Sequence, residues 1–439
     1  MKITVFGLGY VGCVSGACFA ELGHDVIGVD VNPLKVAMIK QGNPPIIEKE
    51  LPELMARVVG TKKFTATTDV EQAVKDTDIG FVCVGTPSSR NGSLSLEYIK
   101  RVSEQIGKAL IKKTDYYIVS IRSTVLPGTV EKEIIPILEA QSGKKAGLDF
   151  GVCMVPEFLR EGTSVYDFFN PPKTVIGELN ERSGEIVSQL FNGINAPMIR
   201  TKIQIAELVK YADNTFHALK VSFANEIGSI CKELECDSHK VMDIFCMDTK
   251  LNLSPYYLKP GFAFGGSCLP KDLRAITYKA RMLDVDTPVL NAIMESNRKQ
   301  VSKVIRKLLE FKGRSIGFLG LSFKQGTDDL RESPIVEVIE AMIGKGYTVS
   351  IYDKYVSIAK LVGSNKEYIE KEIPHISSLM CSTPQELISR SDVIVISNRG
   401  SEYEKALDSE IKDRHVIIDL VRIIPDPAAC KGTYYGICW

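Results

Sequence analysis

The chain has 439 residues, with 54 Lys and Arg against 54 Asp and Glu, so its formal net charge is zero. Apolar residues make up 44% and charged residues 25%, which fits a few globular domains and excludes a disordered chain. General binding to nucleic acid or a membrane surface is not expected without a global field, so any anionic ligand must be held by placed groups.

The first run, Lys2–Phe6, is short and β-prone. It leads through Gly7-Leu8-Gly9-Tyr10-Val11-Gly12 into an Ala- and Gly-rich helical stretch that ends near Leu22. Lys2 and the apolar run Ile3–Ala20 have something of a signal peptide's look. The glycines at turn-like spacing and the unbroken passage into GHDVIGVD read instead as strand, turn and helix. GHDVIGVD closes a strand–turn–helix–strand unit at Asp30. In the G-x-G-x-x-G turn, Gly7 permits the tight bend, Gly9 lets the backbone approach a pyrophosphate, and Gly12 lets helix pack on strand. The helix start then offers unpaired N–H groups to phosphates. Asp30, 18 residues after Gly12, is placed to accept from ribose hydroxyls and to repel a 2′-phosphate, which favours NAD over NADP. No arginine follows it closely, though Lys35 lies near.

Further apolar runs at Ile79–Val84, Tyr117–Ile121, Phe150–Met154 and Thr174–Gly177 alternate with helical segments. They predict a mostly parallel sheet with helices on both faces. The loops Gly85-Thr86-Pro87 and Arg122–Thr129 follow strands and so line the cofactor cleft of such a sheet. From about Thr201 to Gln300 the chain changes to long helical patterns. In IAELVKYADNTFHALKVSFANEIG, Lys210, Asn214, His217 and Asn225 fall on one face, while Val209, Ala212, Phe216, Leu219 and Phe223 fill the others. Such a stripe is either a site, whose buried donors need partners, or a solvated face; pattern alone leaves both open.

NLSPYYLKPGFAFGGSCLPKD cannot be a regular helix, because Gly261, Gly265, Gly266 and two prolines flank Cys268. A helical pattern starts from Pro270, which puts Cys268 just before a helix N-terminus with Lys271 close by; both lower a thiol's pKa. The eleven cysteines are odd in number, irregularly spaced and without a CxxC pair. They fit unpaired thiols in a reducing cytosol and, with only five histidines, no metal site. Ten of them read as core fillers and Cys268 as a nucleophile able to bond a carbonyl carbon.

After Gln300 the first plan recurs. A strand at Ser315–Leu319, a helix at Ile335–Ile343 and GYTVSIYD ending at Asp353 repeat the order, and GYTVSIYD matches GHDVIGVD in length, Gly start and Asp end. Runs at Val393–Ser397 and Val416–Leu420 continue this second sheet. The expected fold class is α/β, with two doubly wound, Rossmann-like domains (1–200 and 301–439) joined by a helical middle (201–300). No apolar run reaches the roughly 18 residues a membrane helix needs.

The segments GLGYVG, GTP, RSTVLPGT, PEFLREGT, KYADNTFHA, PGFAFGGSCLPKD and SFKQGTDDLRESP occur in order across nearly the whole chain. Together they resemble the nucleotide-sugar 6-dehydrogenases, the UDP-glucose/GDP-mannose dehydrogenase family. Within it, KLNLSPYYLKPGFAFGGSCLPKD and the terminal ICW resemble the GDP-mannose branch. The resemblance implies oxidation of a sugar C6 hydroxyl to a carboxylate with two NAD. It also implies a homodimer or dimer of dimers, in which the middle helix pairs and each subunit supplies part of its partner's site.

By the same resemblance, Cys268 is the nucleophile, Lys210 and Asn214 stabilise the oxyanion and orient water, and Asp272 supports that water. Glu157 is the base for hydrolysis, with Thr124 beside it. Cofactor contacts implied beyond the three glycines are Tyr10, Val11, Asp30, Lys35, Thr86, Thr124, Lys271 and Arg331. Those for the nucleotide sugar are Glu161, Lys210, Asn214, His217, Asn225, Tyr256, Tyr257, Lys259, Phe262, Gly265 and Lys324. Under this likeness the helix stripe becomes a site. Lys259 stands where the GDP-mannose branch is expected to carry arginine; lysine keeps the charge and gives up bidentate recognition. Two rival readings are a UDP-glucose or UDP-N-acetylhexosamine 6-dehydrogenase and a non-catalytic NAD-binding sensor. The set Cys268, Lys210, Asn214 and Asp272 speaks against the sensor, which has no use for a shielded thiol.

Overall fold

β1 (Lys2–Phe6) is buried at every residue after its first, as a strand covered on both faces must be. It lies inside an eight-stranded sheet of order β3-β2-β1-β4-β5-β6-β7-β8. The other strands are β2 (Asp25–Val29), β3 (Phe64–Thr67), β4 (Ile79–Val82), β5 (Tyr117–Ile121), β6 (Phe150–Met154), β7 (Thr174–Glu178) and β8 (Met198–Lys202). All neighbours are parallel except β6 and β7, which run antiparallel, so the mostly parallel sheet expected above is present. Two of its strands escape the apolar-run reading. FTAT of β3 is short, and MIRTK of β8 has no buried residue, so neither shows the continuous apolar signature.

The strand order reverses between β1 and β4. That places the turn after β1 and the loops after β4 and β5 at the crevice where such sheets bind ligands. One face of the sheet is packed by Phe19, which meets the rings of Phe81, Phe168 and Phe191 at centroid distances of 5.0, 5.1 and 5.5 Å. The other face is built on Phe6, Tyr117 and Phe150, all essentially inaccessible. Each fully buried side chain of this size contributes about 1.5–3 kcal/mol, which holds the strand ends, and hence the crevice, in place.

The structure describes residues 1–233, 235–249, 257–282, 284, 287–356 and 376–439. Its contacts divide the chain into two units, Met1–Asp213 and Asn214–Trp439. The division falls inside one long helix, Ile203–Glu233. The second unit holds a five-stranded, all-parallel sheet of order β10-β9-β11-β12-β13. Its strands are β9 (Ile316–Leu319), β10 (Val349–Tyr352), β11 (Val393–Ile396), β12 (Val416–Asp419) and β13 (Thr433–Gly436). A helix at Pro334–Gly344 covers one face. Before this sheet come the helices Ser238–Phe245, Leu269–Met282 and Pro288–Leu309. Among the described residues, no helix is long and apolar enough to cross a membrane.

The long helix shows which of its sides is buried. Its polar stripe is the buried side: Lys210, Asn214 and Asn225 are 4%, 7% and 4% exposed. Phe216 and Phe223, on its apolar faces, are 42% and 41% exposed. The amides and the ammonium find partners inside, so the helix turns that edge inward and leaves aromatic rings outside.

Candidate active site

In the first unit the turn after β1 has the shape its glycines require. Gly7 has φ of +93°, which disfavours any side chain, and its N–H donates to Val29 O at 2.7 Å. A Cβ added to Gly12 would lie 1.8 Å from Gly7 O, so helix and strand could not close as they do. A Cβ on Gly9 would meet nothing within 4 Å, and the helix Tyr10–Glu21 starts without a side-chain cap or an acidic first turn. Its first N–H groups are therefore open to an anion. The Asp30 carboxylate accepts from Leu8 N (2.7 Å) and Asn32 N (2.9 Å), with the Lys35 ammonium 3.6 Å away. These residues fit a dinucleotide with a free ribose hydroxyl pair.

The neighbouring loops are tied together. Thr86 Oγ1 donates to Thr124 O at 2.8 Å, joining the loops after β4 and β5. Glu157, after β6, forms a buried ion pair with Lys210 of the long helix at 2.8 Å and accepts from Leu159 N at 2.7 Å. Burial pushes the Glu157 carboxyl up, but the Lys210 ammonium, the Leu159 amide and Arg122 outweigh it and hold the group below the usual carboxylate range. Glu157 is thus held in its ionised form.

In the second unit, Cys268 is exposed at the head of the helix Leu269–Met282, and its carbonyl accepts from Asp272 N at 2.9 Å. The thiol lies 3.7 Å from Ser267 Oγ. Asp272, 1% exposed, accepts from the Asn214 amide and pairs with Lys271 at 3.1 Å. None of the eleven cysteines, all among the described residues, forms a disulfide. Seven are buried, as core fillers should be, and burial pushes the Cys83 thiol up to about 12. Cys236 breaks the expectation, since it is exposed beyond the end of the long helix, and Cys246 and Cys430 are half-buried.

The Gly-rich loop before Cys268 is held by side-chain amides. Asn225 accepts from Gly261 N (2.8 Å) and donates to Phe262 O (3.1 Å). Asn297 pairs with both backbone groups of Phe264 (2.9 and 2.8 Å), and Gln300 donates to Gly261 O (2.6 Å). Gly265 and Gly266 run so close to Glu332, Pro334 and Phe323 that a Cβ would come within 2.3–2.7 Å of them. His217 stacks on Tyr257 with ring centroids 4.8 Å apart. Lys259 pairs with Asp243 at 2.8 Å. Arg331 is held by both oxygens of Asp329, and Lys324 lies half-buried in the same loop. Tyr256 lies outside the described residues.

Several residues at these sites were not singled out from sequence. Arg122 is buried at the end of β5, donating to Ser15 Oγ (3.0 Å) and Val155 O (3.3 Å). Glu207, fully buried on the long helix three residues before Lys210, accepts from Gly128 N (2.6 Å) and Val130 N (2.9 Å) and so anchors the loop that carries Thr124. The usable signal for Glu207 was a single acid inside IQIAELV, a stretch with no other charge. Asn297 and Gln300 sit in MESNRKQVSK, which reads as a solvated face and gives no signal.

Three models of one family match the chain. The NAD binding domain of the UDP-glucose/GDP-mannose dehydrogenase family matches residues 1–195, its central domain 204–299 and its UDP binding domain 317–426. The chain belongs to this family. As a member it is an NAD-dependent oxidoreductase. It is 49% identical over 439 residues to the GDP-mannose 6-dehydrogenase of Pseudomonas savastanoi pv. phaseolicola, with 100% of each chain covered. A solved UDP-glucose dehydrogenase from Pyrobaculum islandicum has a TM-score of 0.90 at 33% identity, covering 100% of this chain and 98% of its own. The GDP-mannose dehydrogenase of Pseudomonas aeruginosa, solved as a ternary complex, has a TM-score of 0.58 at 49% identity with 100% of each chain covered.

Proposed function

We propose that this dehydrogenase oxidises the C6 hydroxyl of GDP-mannose to the carboxylate of GDP-mannuronate, a four-electron change. The observation that carries the chemistry is the solvent-facing Cys268 at a helix start, one turn from a buried Asp272 that Asn214 and Lys271 hold. NAD, when bound, accepts a hydride at each of the two oxidations. Between them the Cys268 sulfur bonds the C6 aldehyde carbon, whose oxygen takes the thiol proton, so the carbon stays on the enzyme as a thiohemiacetal and then a thioester. Water breaks the C–S bond, leaving the acid and the free thiol. We assign Lys210 and Asn214 to the developing oxyanion, Asp272 to the water, and Glu157, with Thr124 beside it, to removal of the water proton.

The choice of GDP-mannose is supported by the 49% identical relatives of that name and rests on the loop 257–266 for recognition. A homodimer is supported by the exposed Ile205, Leu208, Phe216 and Phe223 on the long helix, an apolar edge that a second copy would cover. Eleven thiols outside any disulfide support a cytoplasmic location. The test is NADH release from GDP-mannose, UDP-glucose and UDP-N-acetylmannosamine. GDP-mannose is expected to give two NADH per sugar. A ratio of one sinks the acid product, and turnover of a UDP sugar alone sinks the substrate assignment.

A further inference from the structure

The segment 41–50, between the helices Pro33–Lys40 and Leu51–Gly60, is a loop with two prolines, and it buries one charged side chain. Glu48 is 3% exposed. A carboxylate leaves water at high cost unless its oxygens are fully occupied, and those of Glu48 are. Oε2 accepts from Gly162 N at 2.7 Å and from the Tyr10 hydroxyl; Oε1 accepts from Ser164 N at 3.1 Å. Gly162 N also reaches Tyr10 Oη at 3.3 Å, which closes the knot. Burial and the adjoining carboxylate push the Tyr10 phenol well above its usual value, so it stays a donor.

Three segments far apart in sequence thus meet on one side chain. Tyr10 belongs to the dinucleotide turn. Gly162 lies near the end of the PEFLREGT loop, which carries Glu157 and Glu161, and Ser164 starts the helix that follows it. The two partner segments also meet directly, where Gly162 N reaches Tyr10 Oη. We propose that Glu48 is a positioning residue that fixes the dinucleotide turn and the 157–164 loop to each other, so that one carboxylate sets the geometry of both nucleotide-ligand contacts. This rests on the reading of Tyr10 and Glu161 as cofactor and sugar-nucleotide contacts.

The full-length protein decides it, through Glu48→Gln, Tyr10→Phe and the double variant. NADH affinity is read by fluorescence titration, GDP-mannose affinity by calorimetry without cofactor, and folding by melting temperature. Glu48→Gln puts an NH2 where two donors point, and is expected to weaken both ligands about tenfold. Tyr10→Phe leaves both amide bonds to Glu48 in place, and is expected to weaken NADH several-fold and GDP-mannose less than about twofold. The double variant should bind NADH no worse than Glu48→Gln alone, since the two groups share one bond. A Glu48→Gln protein that melts lower yet binds both ligands as before overturns the proposal, as does one that loses a single ligand. Should Glu48→Gln not fold, NADH affinity unchanged in Tyr10→Phe overturns it as well. Wild-type protein that binds NADH but not GDP-mannose overturns the functional reading instead.

Discussion

The turns after β1 and β9 start alike and end differently. Gly7 and Gly320 have φ of +93° and +101°, and their N–H groups donate to Val29 O and Tyr352 O at 2.7 and 2.8 Å. The next N–H, of Leu8 or Leu321, donates to Asp30 or Asp353 at 2.7 or 2.8 Å. So the likeness of GHDVIGVD and GYTVSIYD extends to the bonds each terminal aspartate makes. The helix then begins at Tyr10 in the first unit, but only at Pro334 in the second. Asp353 takes further donors from two loops: Ser322 N and Oγ of the intervening loop on one oxygen, and Tyr355 N and Val356 N, just after β10, on the other. Asp30 answers to only two backbone N–H groups. One backbone device therefore leaves a helix start open in one place and forms a sealed joint in the other.

Neither turn is expected to do the chemistry, and Cys268→Ser separates the two. Product formation should fall at least roughly 10³-fold, because serine lacks a comparably nucleophilic ionised form. NADH affinity in a fluorescence titration should stay within about twofold, since the first turn is untouched. Near-normal NADH production would remove the thiol from the mechanism.

Asp30→Asn and Asp353→Asn put the open and sealed turns side by side. The first should weaken NADH about tenfold and narrow the preference over NADPH, with a small change in melting temperature. The second leaves at least two buried donors facing an NH2, at about 1–3 kcal/mol each. That is a drop of roughly 4–24 °C for a unit of this size, with NADH affinity unchanged. Equal losses of NADH affinity in both variants would mean that the turns are not functionally distinct.

The sequence carried the first turn almost completely, because each of its glycines and Asp30 is required by backbone geometry that a regular spacing announces. It carried the second turn only as two matching strands, since the loop 320–333 is shaped by polar side chains bonding to one another, which no periodicity encodes. The same limit explains Glu48, Glu207 and Asn297. Each is a polar residue whose partner lies far along the chain, at separations of 114, 79 and 33 residues. Periodicity recovered the side of the long helix that bears Lys210 and Asn214, but could not say which side faced in. That depended on Glu157 and Asp272 being there to meet them.

A weaker effect links the crevice of the first sheet to pH. Burial pushes the Glu207 carboxyl up from 4.5 to about 7, against the pull of the Val130 and Gly128 amides. Folding therefore favours protonated Glu207; its contribution is full below the ordinary carboxyl value and lost as pH rises through about 7. Asp419, at the end of β12, is raised by burial in the same sense. Glu157 has the opposite sign, with a contribution present above the ordinary value and lost as pH falls. Glu207→Gln should flatten the decline in melting temperature between about pH 5 and about pH 8, and leave the acid limb as it was. A decline that keeps its wild-type slope would mean that Glu207 does not titrate in that window.

The smallest effect is expected at Lys259, where the second unit meets solvent. Its ammonium is largely exposed and pairs with Asp243, so stability should change by less than about 0.5 kcal/mol on Lys259→Arg. Arginine can still pair with Asp243, and it adds a planar fork of donors that lysine lacks. If this position meets the nucleotide, KM for GDP-mannose should fall a few-fold while kcat and the two-NADH stoichiometry stay put, because the fork acts on binding and not on the C6 carbon. The preference for GDP-mannose over UDP-glucose should widen by a similar factor if the fork reads the base, and stay level if it reads only phosphate. An unchanged KM would place Lys259 outside the nucleotide's reach and leave recognition to the loop that Asn225, Asn297 and Gln300 hold.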